Sequence, residues 1–477
     1  MIMNKQKRES LKIAILSIIA LLLVALLITL YLVFFRVTLK FTDKDPILEK
    51  GFEYPAMDYV LKSNGEVIPA DTMLDTSTIG EHEFTYTVKR PYREKQFTFK
   101  YTVADTIPPT IEIIEKEMML RVNQDFLMDD LKENIIVDEG EITFKGDINI
   151  DTIGDYPITV IVTDEGGNTS TDDFMVLVRE DSQPPLLLNS GNGAEIRLGS
   201  EFDIDDIIGY GDDLDSAPSL ELTGYVDTNT LGSYPLHARI SDRAGNSFEW
   251  DFTVSVVEQP DYYQNNNPRI SFEDFKNTYA GAGRHFGIDV SEWQGDIDFE
   301  AVRDAGCEFI FIRFGYSFRG EMHVDSSFET YLKQAKAAGI PVGIYLYSYD
   351  NNDHDVRLAV SQIKDVLGDT ELELPIVFDW ENFSNFQEYG ISFEELNRLY
   401  DVFAKECEAY GYKAMLYGSK LRLEEVWKHT EQREIWLANY VDWSSYKGSY
   451  RYWQATNIGR IDGIDGDCDF NIMFEQE

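Results

Sequence analysis

Apolar residues follow three different rhythms along this chain, one after another. The first is an unbroken run from Ile13 to Phe35, IAILSIIALLLVALLITLYLVFF, without a charge. At about 1.5 Å per helical residue it reaches about 35 Å, enough to cross a bilayer. A secretory signal core is shorter and ends at a small-residue cleavage site. This run ends at Phe34-Phe35-Arg36, which predicts an uncleaved transmembrane helix over 13–35. Lys5, Lys7, Arg8 and Lys12 precede it against a single Glu9. By the positive-inside rule, residues 1–12 form a cytoplasmic tail and everything after Arg36 lies outside a single-pass cell-membrane protein.

The second rhythm is strict alternation, repeated three times. Thr78-Ile79-Gly80, Thr152-Ile153-Gly154 and Thr230-Leu231-Gly232 each precede an alternating run: FTYTV, ITVIV and LHARI. Two of the runs lead into a matching turn, Asp164-Glu-Gly-Gly-Asn168 and Asp242-Arg-Ala-Gly-Asn246, and then a second strand. In such turns Gly supplies a positive φ, and Asp and Asn bond back to the backbone. The first unit has Lys89-Arg-Pro-Tyr-Arg-Glu instead. Pro108-Pro109 and Pro184-Pro185 separate the units as stiff breaks. Short alternating strands in units of this length predict all-β sandwich repeats over 36–106, 107–181 and 182–258. The pattern resembles bacterial immunoglobulin-like surface modules, which implies a stalk. The acidic stretch Asp203–Asp213 lacks the spacing of a calcium loop, so no metal site and no cofactor are expected.

Residues 259–284, with Gln264-Asn-Asn-Asn-Pro268 at their centre, read as a linker with one short helix. From 285 to 477 the third rhythm begins: apolar strands alternating with helical segments, the mark of a parallel sheet with crossover helices. Eight strands are expected at GIDV (287), FIFIRFGY (309), VGIYLYSY (342), PIVFDWE (375), AMLYG (414), IWLANY (435), YRYWQA (450) and CDFNIM (468). Helices are expected at Phe299–Ala305, Phe328–Ala338, Val356–Leu367 and Phe393–Tyr410. The last has a capping box, Ser392-x-x-Glu395, and an apolar stripe of Phe393, Leu396, Leu399, Phe403, Cys407 and Tyr410. No room remains for full crossover helices between strands six and eight. The expected fold is therefore an α/β irregular TIM-like (β/α) barrel, behind the immunoglobulin-like repeats and the transmembrane helix.

Composition narrows the partners. A net charge of −43 argues against nucleic acid, whose phosphates require concentrated Lys and Arg. Cys307, Cys407 and Cys468 have no metal-ligand spacing and imply no disulfide framework.

Active sites of such barrels gather at the C-terminal ends of the strands. The polar residues expected there are Asp289, Asp379, Glu381 and Asp469, from strands one, four and eight. Asp379 and Glu381 stand two apart in a strand and share a face, roughly 6 to 7 Å apart at Cα. Alone, such a pair more often caps the next helix than cuts a bond. Trp293, Tyr345, Tyr347, Tyr417, Trp436, Tyr440 and Trp453 cluster in the same places. Aromatic faces stack on sugar rings while carboxylates take hydroxyls, so these seven are candidate substrate-binding residues. There is no Gly-x-Ser-x-Gly elbow, phosphate loop or His-Glu-x-x-His. Asp350-Asn-Asn-Asp-His-Asp355 reads as a solvated loop capping the helix at Val356.

Gly287-Ile-Asp-Val-Ser-Glu-Trp-Gln-Gly295, FIFIRFGY, Ala338-Gly-Ile-Pro-Val-Gly-Ile-Tyr345, Asp379-x-Glu381, Ile435-Trp-Leu-Ala-Asn-Tyr440, Trp453-Gln454 and Asp469-x-Asn471 occur in one order. In that order they resemble the family 25 glycoside hydrolases, the muramidases, with Asn439 where that family often has Gln. The resemblance implies a glycosidase acting on peptidoglycan glycan strands, at the β-1,4 bond between N-acetylmuramic acid and N-acetylglucosamine. It implies Glu381 as general acid, Asp379 as the group that orients or stabilises the reacting centre, and Asp289 and Asp469 lining the cleft. A chitinase-type barrel would need acids where Leu374 and Val377 stand. The alternative from another class is a non-catalytic peptidoglycan-binding scaffold, in contact with proteins of the wall or of a secretion complex.

Overall fold

The computed structural model describes residues 2–122, 124, 126–260 and 268–475. Apart from Pro268, the Asn-rich centre of the linker lies outside the described residues. The chain divides into two compact units, the first comprising Met1–Ile111, Val137–Thr143 and Val160–Thr171, the second Glu112–Ile136, Phe144–Thr159 and Asp172–Glu477.

The first unit opens with helix α1, Ile2–Phe34. Its Lys7–Phe34 part is long and apolar enough to cross a membrane, by length and composition. The helix starts well before Ile13, because the basic residues ahead of the apolar run are good helix formers and continue the same turn geometry.

Each repeat contains a four-stranded sheet and a two-stranded sheet. In the third repeat the four-stranded order is Glu195–Arg197, Ser247–Val257, Gly232–Ser241, Ser219–Gly224. The order recurs at the corresponding strands of the other two repeats. The alternation explains the packing: Leu236, Ala238 and Ile240 are buried against Phe252, Val254 and Val256, while the residues between them face outward. The turn motif closes as its residue types predict. Asn246 N and Gly245 N donate to Asp242 Oδ1 at 2.8 and 2.6 Å, with Gly245 at φ +100°. In the first repeat Arg90 pairs with Arg93 across Pro91-Tyr92, a two-residue hairpin that needs no Asp-Asn clasp.

The C-terminal strands close on themselves. They are β1 Arg284–Val290, β2 Phe309–Phe318, β3 Val342–Ser348, β4 Ile376–Asp379, β5 Ala414–Ser419, β6 Ile435–Ala438, β7 Tyr452–Arg460 and β8 Cys468–Phe474. Strands β1 to β7 pair in parallel in the order 1-2-3-4-5-6-7. The wholly parallel expectation fails at β8, which runs antiparallel to both β7 and β1 and closes the barrel between them. The reason is connection length: antiparallel neighbours can be joined by a short loop, whereas a parallel crossover takes a dozen residues or more, and only 461–467 separate β7 from β8.

Alternation in the strands sorts residues into an inner and an outer core. Phe309, Phe311, Val377, Met415, Trp436 and Tyr452 fill the barrel interior. Ile288, Ile310, Ile312, Ile344, Phe378, Leu416 and Leu437 point outward, into the layer shared with the helices. Those helices are α2 Phe272–Tyr279, within the predicted linker, then α3 Phe299–Asp304, α4 Phe328–Ala338, α5 Asp353–Leu367, α6 Phe393–Ala409 and the short α7 Lys420–Glu425. The start of α5 is three residues earlier than the pattern predicts, because Asn352 caps it by accepting from Asp355 N at 2.9 Å. In α6 the capping box forms and Tyr400 joins the buried stripe. Tyr410, expected there, is the C-cap and is exposed, because the helix has ended at Ala409.

Candidate active site

The mouth of the barrel holds a cavity of about 310 Å³. Asp289, Asp379, Glu381 and Asp469 line it, together with Trp293, Tyr345, Tyr347, Tyr417, Trp436 and Tyr440. Side-chain alternation explains why. Asp289 is the penultimate residue of β1 and Asp379 the last of β4, both on inward positions, and Glu381 stands two residues beyond that strand at the same mouth. Asp469 sits opposite Asp289 in the antiparallel pair β1–β8. It reaches the mouth from the beginning of β8 rather than from its end, which corrects the expectation of a C-terminal strand position and follows from the reversed strand.

Trp453 is not among the lining residues. It sits between the inward Tyr452 and Gln454, so its ring points outward and is fully buried. There it packs on Tyr279 and Trp443, and its indole donates to the Asn439 carbonyl at 2.9 Å.

Gln454 and Asn471, which the sequence motifs contain without a role assigned to them, hold Asp289 in place. Asp289 Oδ1 accepts from Asn471 Nδ2 at 2.7 Å and from Gln454 Nε2 at 3.0 Å. The Gln454 carbonyl in turn accepts from the Tyr417 and Tyr440 hydroxyls at 2.9 and 2.8 Å. Asn471 Oδ1 accepts from the Trp436 indole at 2.8 Å. Arg313 also lines the cavity, held by Asp325 and Glu292 at 2.8 Å each. The signal was available in the two-residue period: Gln454 and Asn471 lie two positions after the inward Tyr452 and Asp469.

The electrostatics separate the four acids. Asp289 and Asp379 are buried, Asp469 is partly buried, and Glu381 is exposed at the mouth. Burial raises the Asp289 carboxyl to about 6, against the opposing hydrogen bonds from Asn471 and Gln454. Burial and the Glu381 and Asp289 charges push Asp379 well above the usual carboxylate range, with Arg313 opposing. Asp379 Oδ1 has no hydrogen-bond partner among the described residues. Glu381 is raised to about 7 by the protein mass around it and then by the Asp289 charge, with the Tyr417 hydroxyl opposing. Asp469 is raised by burial and by Asp289. Several acids held in different environments around one cleft are the kind of arrangement that hydrolysis of a glycosidic bond needs. Trp293, 79% exposed, and the half-exposed Tyr440 offer ring faces at the rim. By fold and site, this is a barrel of the glycosidase class.

The comparisons narrow the class to a family. Residues 288–464 match the model of glycosyl hydrolases family 25, and this segment is a domain of that family. The autolytic lysozyme of Clostridium acetobutylicum is 24% identical over 191 residues, which are 40% of this chain and 56% of that protein. Lysozyme M1 of Streptomyces globisporus is 26% identical over 201 residues, 39% of this chain and 66% of that protein. The first match thus spans just over half of its relative's length. The solved structure of a family 25 glycosyl hydrolase from Bacillus anthracis aligns with a TM-score of 0.36 at 22% identity, covering 40% of this chain and 90% of that one.

Proposed function

We propose that this protein is a membrane-anchored peptidoglycan hydrolase that cleaves the β-1,4 bond between N-acetylmuramic acid and N-acetylglucosamine. The observation that carries the reading is Glu381: an acid at the cavity mouth whose carboxyl is raised to about 7, two residues from the buried Asp379. The family 25 match and the lysozyme names of the two relatives support it.

In this reading Glu381 protonates the leaving oxygen, and its raised pKa keeps the proton available near neutrality. Asp379 stabilises or orients the reacting centre, directly or through the 2-acetamido group of the sugar. Asp289 and Asp469 line the cleft, and the aromatic rings stack on the sugar faces. The barrel is read as an irregular TIM-like fold and the repeats as immunoglobulin-like modules forming a stalk. Helix α1 anchors the chain with its N-terminus in the cytoplasm, so the hydrolase faces wall close to its own cell, where it opens glycan locally.

The test is muropeptide analysis of purified peptidoglycan digested by the full chain in detergent, beside Glu381→Gln. New reducing ends on muramic acid, absent with the variant, are expected. Intact glycan from the folded wild-type chain would overturn the reading in favour of a binding scaffold.

A further inference from the structure

Three carboxylates outside the barrel mouth are packed together within the second unit. Asp181 lies just ahead of the Pro184-Pro185 break, and Asp212 and Asp213 follow the strand Ile208–Gly211. One oxygen from each lies within 4.8 Å of the others. Asp212 is fully buried. Its Oδ1 accepts from Leu214 N at 2.9 Å and Asp215 N at 2.7 Å, but its Oδ2 has no partner. Asp181 Oδ2 and Asp213 Oδ1 are likewise buried and unpartnered among the described residues.

Among the described residues no Lys or Arg forms an ion pair with these three carboxylates. Arg243 is spent on Asp215, and Lys428 pairs with Glu394. Arg121 acts on Asp181, and Lys428 on Asp213, only at longer range. Asp242 adds to the negative field while its own oxygens serve the turn to Asn246. Burial pushes Asp181 to about 6, with the Asp242 and Asp213 charges adding to it, and Asp212 to about 7, with Asp181 and Asp213 adding; burial also raises Asp213, against Lys428. Buried carboxylates this close persist only by holding protons or a cation.

The preceding junction shows the same design with a different solution. Asp105, Glu139 and Asp164 also approach within 4.8 Å. Asp105 stands three residues before Pro108 as Asp181 does before Pro184, and Glu139 is the second residue after its strand, as Asp213 is. There Lys50 lies 3.8 Å from Asp105 and 3.3 Å from Glu165, supplying the positive charge. The later junction keeps the acids without the lysine.

We propose that Asp181, Asp212 and Asp213 form a calcium site at the start of the third repeat. An all-oxygen set drawn from two chain segments suits Ca²⁺, which takes six to eight oxygens in flexible geometry, whereas Mg²⁺ demands a near-ideal octahedron and retains its waters. The site is placed to stiffen the catalytic domain. The Asp212 and Asp213 carbonyls accept from Phe393 N and Glu394 N at 2.8 and 3.2 Å, at the start of α6. The strand before them is bonded to Gln387, in the segment that follows Glu381, through Gln387 Nε2 to the Ile208 carbonyl at 2.9 Å.

The experiment is calorimetric and thermal titration of the full chain in detergent, stripped with chelator and then given CaCl₂, beside Asp212→Asn/Asp213→Asn. Wild type is expected to bind with an affinity in the range of extracellular modules, about 10⁻⁴ to 10⁻³ M, and to melt higher with calcium. The double variant is expected to bind one equivalent fewer and to lose that shift. In chelator it should melt no lower than wild type, because the amides remove repulsion while the residue 212 oxygen still accepts from Leu214 and Asp215. Should the double variant fail to fold, Asp181→Asn is expected to show the same loss. No calcium response in wild type, or equal stoichiometry and shift in wild type and the folded variant, would overturn the site.

Discussion

At the scale of single residues, the environment of each carboxyl decides its behaviour. If Glu381 delivers the proton, the rate depends on its protonated form. The kcat/KM of wild type is then expected to fall about tenfold per pH unit above about 7. Glu381→Gln should lower kcat about 10²- to 10⁴-fold with little change in KM, as measured on soluble glycan fragments. Asp289 makes a separate prediction on stability. Its folded carboxyl is raised to about 6, so between the unfolded value near 4 and that point the native state binds the extra proton. Stability from this group is therefore lost as pH rises through the window. An Asp289→Asn chain keeps the acceptor for Asn471 and Gln454 and has no charge to desolvate. Its melting temperature relative to wild type should climb between pH 4 and 6 and level off above; a constant difference would contradict the raised carboxyl.

At the scale of elements, close approach ties the third repeat to the barrel within the second unit. A Cβ on Gly209 would come within 2.3 Å of the Phe383 carbonyl oxygen and 2.5 Å of that of Ser384. Both are backbone atoms of the segment that follows Glu381, so neither can swing aside as a flexible side chain would. Gly209→Ala is expected to cost about 1–3 kcal/mol and to lower hydrolysis, although residue 209 belongs to the repeat. Comparing its melting curve and turnover with wild type checks both effects. Elements were also where periodicity was most informative: the strand and helix segments of the barrel stand within a few residues of their expected places, because apolar spacing dictates which face is buried. The direction of β8 is written not in the strand's own residues but in the short connection 461–467, too brief for a parallel crossover.

At the scale of the whole molecule, the apolar Lys7–Phe34 helix and the anionic exterior lead to one expectation. The chain should sediment with membranes, resist extraction by high salt and be released by detergent. Recovery of most of it free in the medium, cut near residue 36, would count against an anchor.

Much of the site was present in the one-dimensional pattern. The two-residue period pointed to Asp379 and Glu381 together; β4 ends at Asp379 and Glu381 lies two residues beyond it, yet both line the cavity, and the order of motifs between Gly287 and Asn471 carries the family resemblance. Tertiary structure alone decided that Gln454 and Asn471 meet Asp289 and that Tyr279 and Trp443 cover Trp453. It also decided that Asp181 meets Asp212 and Asp213. Each of these depends on which distant segment closes over a position and removes water from it. Charge, burial and hydrogen-bond satisfaction are properties of that closure.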